Sequence, residues 1–239
     1  DILAGNVKAT SVMFPSGSLD LVSGVYNGNR VVDYFNDILC DVLEKAVLAR
    51  IKQDPAVQLR LLEVGAGTGG TANRVFDRLA PYAANIAEYR YTDLSRSFLI
   101  HARQKFLPRA PYLTTAIFDA SLPLDQQDIA PGQFDIAIAT NVLHATRDIL
   151  ESLHNTKAAL KENGLIVLNE LTENVMFSHF TFGLLDGWWA YDDADLRLDG
   201  TPALSPEMWG SALQAEGYRH VIYPTPEGRV LGQQIIVAE

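Results

Sequence analysis

The stretch LLEVGAGTGG, residues 61–70, decides the fold of this chain. It completes an apolar segment, LRLLEV, which predicts a buried strand, and it runs through closely spaced glycines into a predicted helix. A strand, a glycine-rich turn and a helix N-terminus form a site for a nucleotide-like cofactor, because glycine lets the backbone approach a ligand closely. Glu63 lies near the end of the strand, where burial of a charge is costly unless the carboxylate has partners.

Two glycine patterns overlap in this turn. The residues from Gly65 to Gly70 fit the dinucleotide fingerprint G-x-G-x-x-G, and those from Glu63 to Gly69 fit E-x-G-x-G-x-G. The second pattern resembles the first motif of the S-adenosylmethionine-dependent methyltransferases. A dinucleotide oxidoreductase is the main alternative for the fold. Against it stand Glu63, the spacing of 28 residues (93 − 65) from the first glycine to Asp93, and the lack of a recognisable second substrate domain.

The composition bounds the class of protein. The 239 residues are 48% hydrophobic and 20% charged, as in globular proteins that bury a full core. A net charge of −10 and a pI near 4.9 argue against a nucleic-acid partner, which requires a basic surface. No apolar run reaches about 18 residues and no signal-peptide pattern is present, so we expect a cytoplasmic protein without membrane contact. The single cysteine, Cys40, excludes an internal disulfide, and both ends look cut from a longer chain.

Apolar strands alternate with helical segments, which predicts an α/β fold with a doubly wound, mostly parallel sheet. The predicted parallel strands are residues 59–64, 88–93, 113–118, 134–139 and 165–171. The predicted helices are residues 29–53, 70–79, 96–106, 147–162 and 206–216. We expect Ser95 to cap the third of these helices and Gly164 to end the fourth. Two final strands, residues 218–224 and 231–238, predict an antiparallel hairpin, which gives the seven-stranded, Rossmann-like sheet of class I methyltransferases.

The chain divides into two predicted parts. Residues 1–56 are expected to form an N-terminal helical leader, with one short helix between residues 18 and 23, that packs on the core as a lid. Residues 57–239 are expected to form the cofactor-binding core. An aromatic insertion at about residues 175–201 interrupts the alternation of strands and helices in this core.

Polar residues at the ends of three consecutive predicted strands indicate where a cofactor binds, since ligands of open α/β sheets lie at the carboxyl ends of the strands. Asp93 is placed to accept both ribose hydroxyls. Asp119 is placed to receive the adenine amino group beside Phe118, and Asn141 follows the fourth strand. Each residue taken alone is equally consistent with capping a turn. The predicted cofactor-binding residues are Glu63, Gly65, Ala66, Gly67, Thr68, Gly69, Asp93, Leu94, Phe118, Asp119, Asn141 and Val142.

Four further segments resemble the C-methyltransferase domains of polyketide synthases: YTDLS (91–95), ATNVLHATRDI (139–149), LNELTENVMF (168–177) and FGLLDGWW (182–189). The opening Phe14-Pro15-x-Gly17 is similar to those domains as well. The resemblance implies methylation, by S-adenosylmethionine and without a metal, of the α-carbon of a β-ketoacyl chain held on acyl carrier protein. It also implies neighbouring polyketide synthase domains as partners, and a catalytic pair that maps onto His144 and Glu170.

The chemistry of such a reaction supports the same pair. A carbon between a ketone and a thioester is acidic enough for a well-placed imidazole, with an ordinary pKa of about 6.5, to remove its proton. His144 follows the fourth predicted strand and Glu170 lies near the end of the fifth, so both side chains are expected at the cofactor end of the sheet. The predicted substrate-contacting residues are Tyr26, Phe182, Trp188 and Trp189, with His179 as a further candidate.

Alternatives remain open at this point. A stand-alone O- or N-methyltransferase would act on an acceptor that is already nucleophilic and would need no His–Glu pair. An inactive, methyltransferase-like spacer in a megasynthase is a second rival, against which the intact glycine loop counts. The two tryptophans, Trp188 and Trp189, either line the acyl pocket or form the core of the insertion. The acidic run at residues 192–195 is a candidate cation site, although such runs are mostly solvated.

Overall fold

The structure, a computed structural model, describes residues 1–13, 15 and 29–239. Its described part contains one six-stranded sheet in the order β3-β2-β1-β4-β5-β6. The strands are β1 Leu59–Val64, β2 Ile86–Thr92, β3 Leu113–Ala116, β4 Phe134–Thr140, β5 Leu160–Leu171 and β6 Gln233–Ala238. The first five strands pair in parallel, and β6 pairs antiparallel with β5. The α/β fold with its parallel sheet is therefore as predicted, and the chain order reverses between β1 and β4.

Helices cover both faces of this sheet. The α-helices are α1 Ala9–Met13, α2 Arg30–Gln53, α3 Gly70–Leu79, α4 Arg96–Phe106, α5 Ile149–Ala159, α6 Met176–Phe180 and α7 Pro206–Ala215. Shorter 3₁₀ helices span Ala80–Asn85, Leu124–Gln126, Leu143–Ala145, Phe182–Leu184, Asp186–Trp189, Ala194–Leu196 and Pro226–Leu231. No helix within the described ranges is both long and apolar enough to cross a membrane.

The apolar residues of the strands alternate between two cores. Leu61, Ile136 and Val167 belong to a buried cluster with residues of α2, α3 and α4, whereas Leu62 and Leu168 belong to a second cluster with residues of α5 and α7. A central parallel sheet that is buried on both faces requires apolar residues at nearly every strand position, which is the pattern of these strands.

Helix α2 packs on the sheet through an apolar stripe. Asn29 caps its first turn, since its side chain accepts a hydrogen bond from the backbone of Val31 at 3.0 Å. Phe35, Leu39 and Leu43 follow at helical spacing and are fully buried. The helix thus contributes to the same core as the strands. The division of the chain at residue 56 into leader and core stays a prediction, and the short helix expected between residues 18 and 23 lies outside the described residues.

The predicted terminal hairpin is wrong in detail, because one of its strands does not form. The segment at 218–224 makes only an isolated antiparallel bridge between Ile222 and Val237, together with backbone bonds between Arg219 and Glu239. His220 has a left-handed φ of 52°, which interrupts an extended strand. Two nearby prolines at positions 224 and 226 remove ladder donors. The described sheet therefore has six strands instead of the expected seven.

Two predicted helix caps also differ. Ser95 stands at the N-cap of α4, but its side chain makes no capping bond. Helix α5 begins after Asp148, whose side chain accepts a hydrogen bond from Glu151 N. It ends at Ala159, because the backbone N–H groups of Gly132 and Gln133, which precede β4, donate to the last two carbonyls of the helix. Gly164 consequently lies inside β5, where the pairing with β4 is irregular between Leu160 and Leu165.

Candidate active site

The glycine loop between β1 and α3 has an unusual backbone. Gly65, Gly67 and Gly69 all have left-handed φ, at 60°, 57° and 77°. A Cβ at Gly65 would overlap Cγ2 of Val142, so the loop after β4 packs directly on this glycine. A Cβ at Gly67 would meet no atom closer than 4.0 Å, which leaves open space above the loop.

Asp93 fixes the glycine loop from the end of β2. Its Oδ2 accepts from Gly67 N at 2.9 Å, and its Oδ1 accepts from Ser95 N at 2.7 Å. Burial raises the pKa of the Asp93 carboxyl, while these backbone bonds oppose the rise. Each carboxylate oxygen keeps a second acceptor position, so the residue can hold the loop and still bind a ligand hydroxyl.

A cavity of about 180 Å³, here called the loop cavity, lies between the glycine loop and α2. Its lining residues are Val32, Asn36, Glu63, Gly65, Ala66, Gly67, Thr68, Gly70, Thr71, Phe98, Thr140 and Asn141. Among the lining residues that the structure describes, Glu63 is the only charged one, and its side chain is buried. Its Oε2 accepts from the hydroxyl of Tyr89 at 2.8 Å. Burial raises the pKa of Glu63 to about 8, and the Tyr89 bond offsets only part of that rise.

His144 and Glu170 form a buried pair where β4 and β5 end. His144 lies in the 3₁₀ helix Leu143–Ala145, and its Nδ1 is 2.6 Å from Oε2 of Glu170. The other carboxylate oxygen of Glu170 accepts from the backbone N of Val142 at 3.0 Å and of Leu143 at 2.8 Å. The relative exposure of the two side chains is 4% and 0%. The carboxylate therefore holds both the imidazole and the loop that carries it.

A second cavity of about 520 Å³, here called the dyad cavity, lies beside His144. Its lining residues are Asn29, Val31, Val32, Asn141, His144, Ala145, Leu171, Val175, Phe177, Ser178, Phe182, Leu185, Gly187, Trp188, Leu231 and Gln233. Most of this lining is apolar, and much of it comes from the aromatic insertion. Val32 and Asn141 line both cavities, so the loop cavity and the dyad cavity adjoin.

Comparisons with known proteins identify the class to which this arrangement belongs. A family model described as a methyltransferase domain matches residues 62–166, which include the glycine loop and His144. The polyketide synthase PksR of Bacillus subtilis (strain 168) is 50% identical over 239 residues, which is all of this chain and 9% of that protein. The crystal structure of the DszA carbon methyltransferase matches with a TM-score of 0.90 at 37% identity, over 100% of this chain and 62% of that chain. The chain belongs to the methyltransferase domains of polyketide synthases.

A third similar protein was solved with a bound ligand. The trans-methyltransferase CalH, solved in complex with SAH, matches this methyltransferase domain with a TM-score of 0.78 at 30% identity. That match covers 100% of this chain and 63% of that one. The predicted fold class, a Rossmann-like class I methyltransferase, is confirmed.

Six of the twelve predicted cofactor residues do not line the loop cavity of the methyltransferase domain: Gly69, Asp93, Leu94, Phe118, Asp119 and Val142. Gly69 packs instead against Phe106 and the Tyr91 hydroxyl, and Val142 packs against Gly65. Leu94 is 63% exposed. Phe118 is buried in the second core cluster, so its ring does not line the cavity.

Asp119 makes a local turn. Its Oδ1 accepts from Ser121 N at 2.9 Å, and its own backbone N donates to the side chain of Gln127 at 2.7 Å. This is the capping role that a lone Asp at a strand end often has. Asn141 does line both cavities, with a left-handed φ of 52°, and its Nδ2 donates to Gln233 at 3.2 Å.

Only some of the predicted substrate residues line the dyad cavity. Phe182 and Trp188 line the dyad cavity, and their rings stack with centroids 6.1 Å apart. Trp188 also meets His144 edge-on, at 5.7 Å between ring centroids. Trp189 faces away: it is 48% exposed and stacks on His179. Tyr26 lies outside the described residues, as do Phe14 and Gly17.

Sequence reasoning missed several polar residues of the loop cavity. Asn36 lies on the apolar stripe of α2, one residue after Phe35, and its Oδ1 accepts from the Thr71 hydroxyl at 2.9 Å. A polar residue on an otherwise apolar helix stripe is a signal that could have found it. Thr140, the last residue of β4, has no comparable signal in the sequence.

The acidic run in the insertion pairs with arginines. Asp192 is 2.6 Å from Arg147, and Asp193 is 2.7 Å from Arg197. Among the residues that the structure describes, no group of three or more His, Cys, Asp or Glu side chains is arranged to hold a metal ion.

Proposed function

We propose that this domain uses S-adenosylmethionine to methylate the α-carbon of a β-ketoacyl thioester carried on acyl carrier protein. The observation that supports this most directly is the position of the His144–Glu170 pair, which lies at the wall of the dyad cavity next to its junction with the loop cavity. A base placed there can act on a substrate in one cavity beside a cofactor in the other.

Three features in and around the loop cavity support S-adenosylmethionine as the cofactor, which would supply an electrophilic methyl group on a positively charged sulfonium. Glu63 is a buried acid with no cationic neighbour among the described lining residues, so it suits the ammonium group of the cofactor. The open space above Gly67 leaves room for the ligand, and Asp93 retains acceptor positions for ribose hydroxyls.

The imidazole of His144 has the geometry of a general base. Because Nδ1 faces Glu170, the other ring nitrogen, Nε2, is left to take the proton from the α-carbon. The carboxylate then stabilises the imidazolium that forms, as in other His–acid pairs. Removal of the proton leaves an enolate, the carbon nucleophile that methylation requires. The backbone bonds from Val142 and Leu143 keep Glu170 in place during this step.

The lining of the dyad cavity supports the proposal that the substrate is an acyl chain. Its apolar lining, including Phe182 and Trp188, excludes water from the enolate and accommodates an acyl chain. None of its described lining residues is a Lys, Arg, Asp or Glu, so a neutral β-ketoacyl chain is favoured over a charged one.

The setting of the domain is part of the same proposal. PksR is far longer than this chain, so neighbouring synthase domains and a carrier protein are the proposed partners. We place the reaction in the cytoplasm, and we assign residues 1–56 to a leader that covers the core 57–239. Helix α2 supports the last point, because Val31 and Val32 line the dyad cavity.

Mass spectrometry of a carrier-bound β-ketoacyl substrate tests the function. After incubation with the chain and S-adenosylmethionine we expect a gain of one methyl group, located by fragmentation on the α-carbon. The matched control is the β-hydroxyacyl thioester of the same length, whose α-proton is far less acidic and which should not react. Methylation of an oxygen or nitrogen, or equal methylation of both substrates, would overturn the assignment to an acidic carbon.

A further inference from the structure

The insertion contains a buried ion pair that the proposed mechanism does not use. Asp193 and Arg197 are four residues apart, and their side chains are 8% and 1% exposed. Arg197 Nε donates to Asp193 Oδ1 at 2.7 Å, and its Nη2 donates to Oδ2 at 2.9 Å. The pair is thus bidentate, the strongest geometry for an arginine and a carboxylate.

Two of the three remaining N–H donors of Arg197 reach out of the insertion to the loop at residues 142–146, here called the catalytic loop. Nη1 donates to the backbone carbonyl of His144 at 2.7 Å and to that of Pro202 at 2.8 Å. Nη2 donates to the carbonyl of Thr146 at 3.1 Å. A guanidinium has five N–H groups, and all five are engaged here. No lysine could make the same set of bonds, since its ammonium has three donors at a single point.

Two side chains of opposite charge consequently hold the loop at residues 142–146, one through its backbone N–H groups and the other through its backbone carbonyls. The carboxylate of Glu170 accepts from two of its N–H groups, and the guanidinium of Arg197 donates to two of its carbonyls. One of those carbonyls belongs to His144 itself. Any shift of Arg197 therefore moves the backbone from which the imidazole projects.

We propose that Arg197 is a positioning residue for His144, which couples the folded insertion to the geometry of the base. The inference rests on the proposed role of His144 in removing the α-proton. It assigns Arg197 no contact with substrate or cofactor: the residue acts through the loop, and Asp193 aligns the guanidinium.

A second ion pair provides a matched control. Arg147, the residue that follows the catalytic loop, lies 2.6 Å from Asp192 of the same insertion, but on the surface, with side chains 71% and 65% exposed. Exposed pairs contribute little to stability, and this one makes no bond to His144. Arg147→Lys therefore changes the same residue type, at the same junction, without the buried contacts.

The test compares Arg197→Lys with Arg147→Lys in the full 239-residue chain. We expect Arg197→Lys to lower the turnover of the carrier-bound β-ketoacyl substrate by about 10- to 10²-fold, the scale of a displaced catalytic group, and to leave cofactor affinity within about twofold. Arg147→Lys should match wild type. In a His144→Ala background, Arg197→Lys should cause no further loss, because a positioning residue has nothing left to position.

A spectroscopic readout separates this inference from the proposed function. The Nδ1 proton of His144 should give a shifted NMR signal because of its short bond to Glu170, and the signal should be altered in Arg197→Lys but unchanged in Arg147→Lys. If wild type does not methylate carbon, the proposed function fails and the NMR signal still decides whether Arg197 positions His144. An unaltered signal with wild-type turnover, or an additive loss on top of His144→Ala, would overturn the inference. If Arg197→Lys does not fold, Asp193→Asn, which keeps the shape of the pair, should show the same two effects in weaker form.

Discussion

Cofactor affinity should rise steeply with pH, because Glu63 holds a proton that it must release to meet an ammonium group. Burial raises the pKa of Glu63 to about 8 in the free domain. Below that pH the carboxyl is mostly neutral, and the fraction that is ionised falls roughly tenfold per pH unit. If only the ionised form pairs with the cofactor's ammonium, affinity at pH 6 should be roughly a hundredfold weaker than above pH 8, and binding near pH 7 should release about one proton.

Calorimetry with S-adenosylhomocysteine, which carries the same ammonium and cannot react, measures this directly. Titrations at pH 6, 7 and 8, each in two buffers of different ionisation enthalpy, give both the affinity and the number of protons released. Glu63→Gln is the matched control, since it keeps the size and the Tyr89 contact but cannot ionise. Its affinity should vary little with pH, apart from any contribution of Asp93, whose pKa is also raised by burial. A flat affinity in wild type, or the same slope in Glu63→Gln, would refute this role of Glu63.

The Glu63 carboxyl should also affect the stability of the free domain, which should fall as pH rises whereas cofactor affinity increases. The unfolded carboxyl ionises above its ordinary pKa of 4.5, whereas the folded one keeps its proton until about pH 8. The folded state therefore binds more protons in this window, so the free energy of unfolding should fall as pH rises, by roughly 1.4 kcal/mol per unit. Denaturant melts of wild type and Glu63→Gln between pH 5 and 8 should diverge accordingly, and parallel curves would contradict the shift.

Three substitutions, two of them paired with a control substitution, probe the rest of the site. Gly67→Ala and Gly132→Ala both put a Cβ at a left-handed φ with no protein atom closer than 4.0 Å, so each should lower the free energy of unfolding by about 1–2 kcal/mol. Only Gly67→Ala should weaken cofactor binding in calorimetry. Glu170→Gln should lower turnover less than loss of the imidazole does, because the base survives but faces an amide; a loss as large as that would show that the charge itself is essential. Trp188→Ala should lower kcat/KM for the acyl substrate while Trp189→Ala leaves it unchanged, since only the first ring lines the dyad cavity; equal effects would contradict this.

Local sequence patterns predicted most of the fold. The strand Leu59–Val64 and the helices Gly70–Leu79 and Arg96–Phe106 match the prediction to the residue, because apolar periodicity and the glycine turn agree there. The terminal hairpin failed where a left-handed His220 interrupts an apolar run, and such a φ has no reliable signal in the sequence. The end of α5 is set by backbone bonds from the distant loop before β4, which no local pattern encodes.

The site was predictable to the extent that sheet topology determines it. His144 and Glu170 meet because β4 and β5 are adjacent and parallel, so their carboxyl ends coincide. Phe118 was misplaced because its strand ends at Ala116, after which alternation no longer decides the face on which a side chain lies. The contact of Arg197 with the catalytic loop spans 53 residues and depends on how the insertion folds back, so the sequence did not reveal it.

Hydrogen–deuterium exchange at the α-carbon of a β-ketoacyl thioester, followed without cofactor, tests the central claim most directly because it isolates proton removal. In heavy water the wild-type chain should exchange this position, and His144→Ala should be slower by roughly 10²–10⁴-fold, the usual contribution of a general base. Both proteins should bind S-adenosylhomocysteine with similar affinity, which shows that the variant keeps its fold. Exchange at the wild-type rate in His144→Ala would contradict the account and assign the base to another residue.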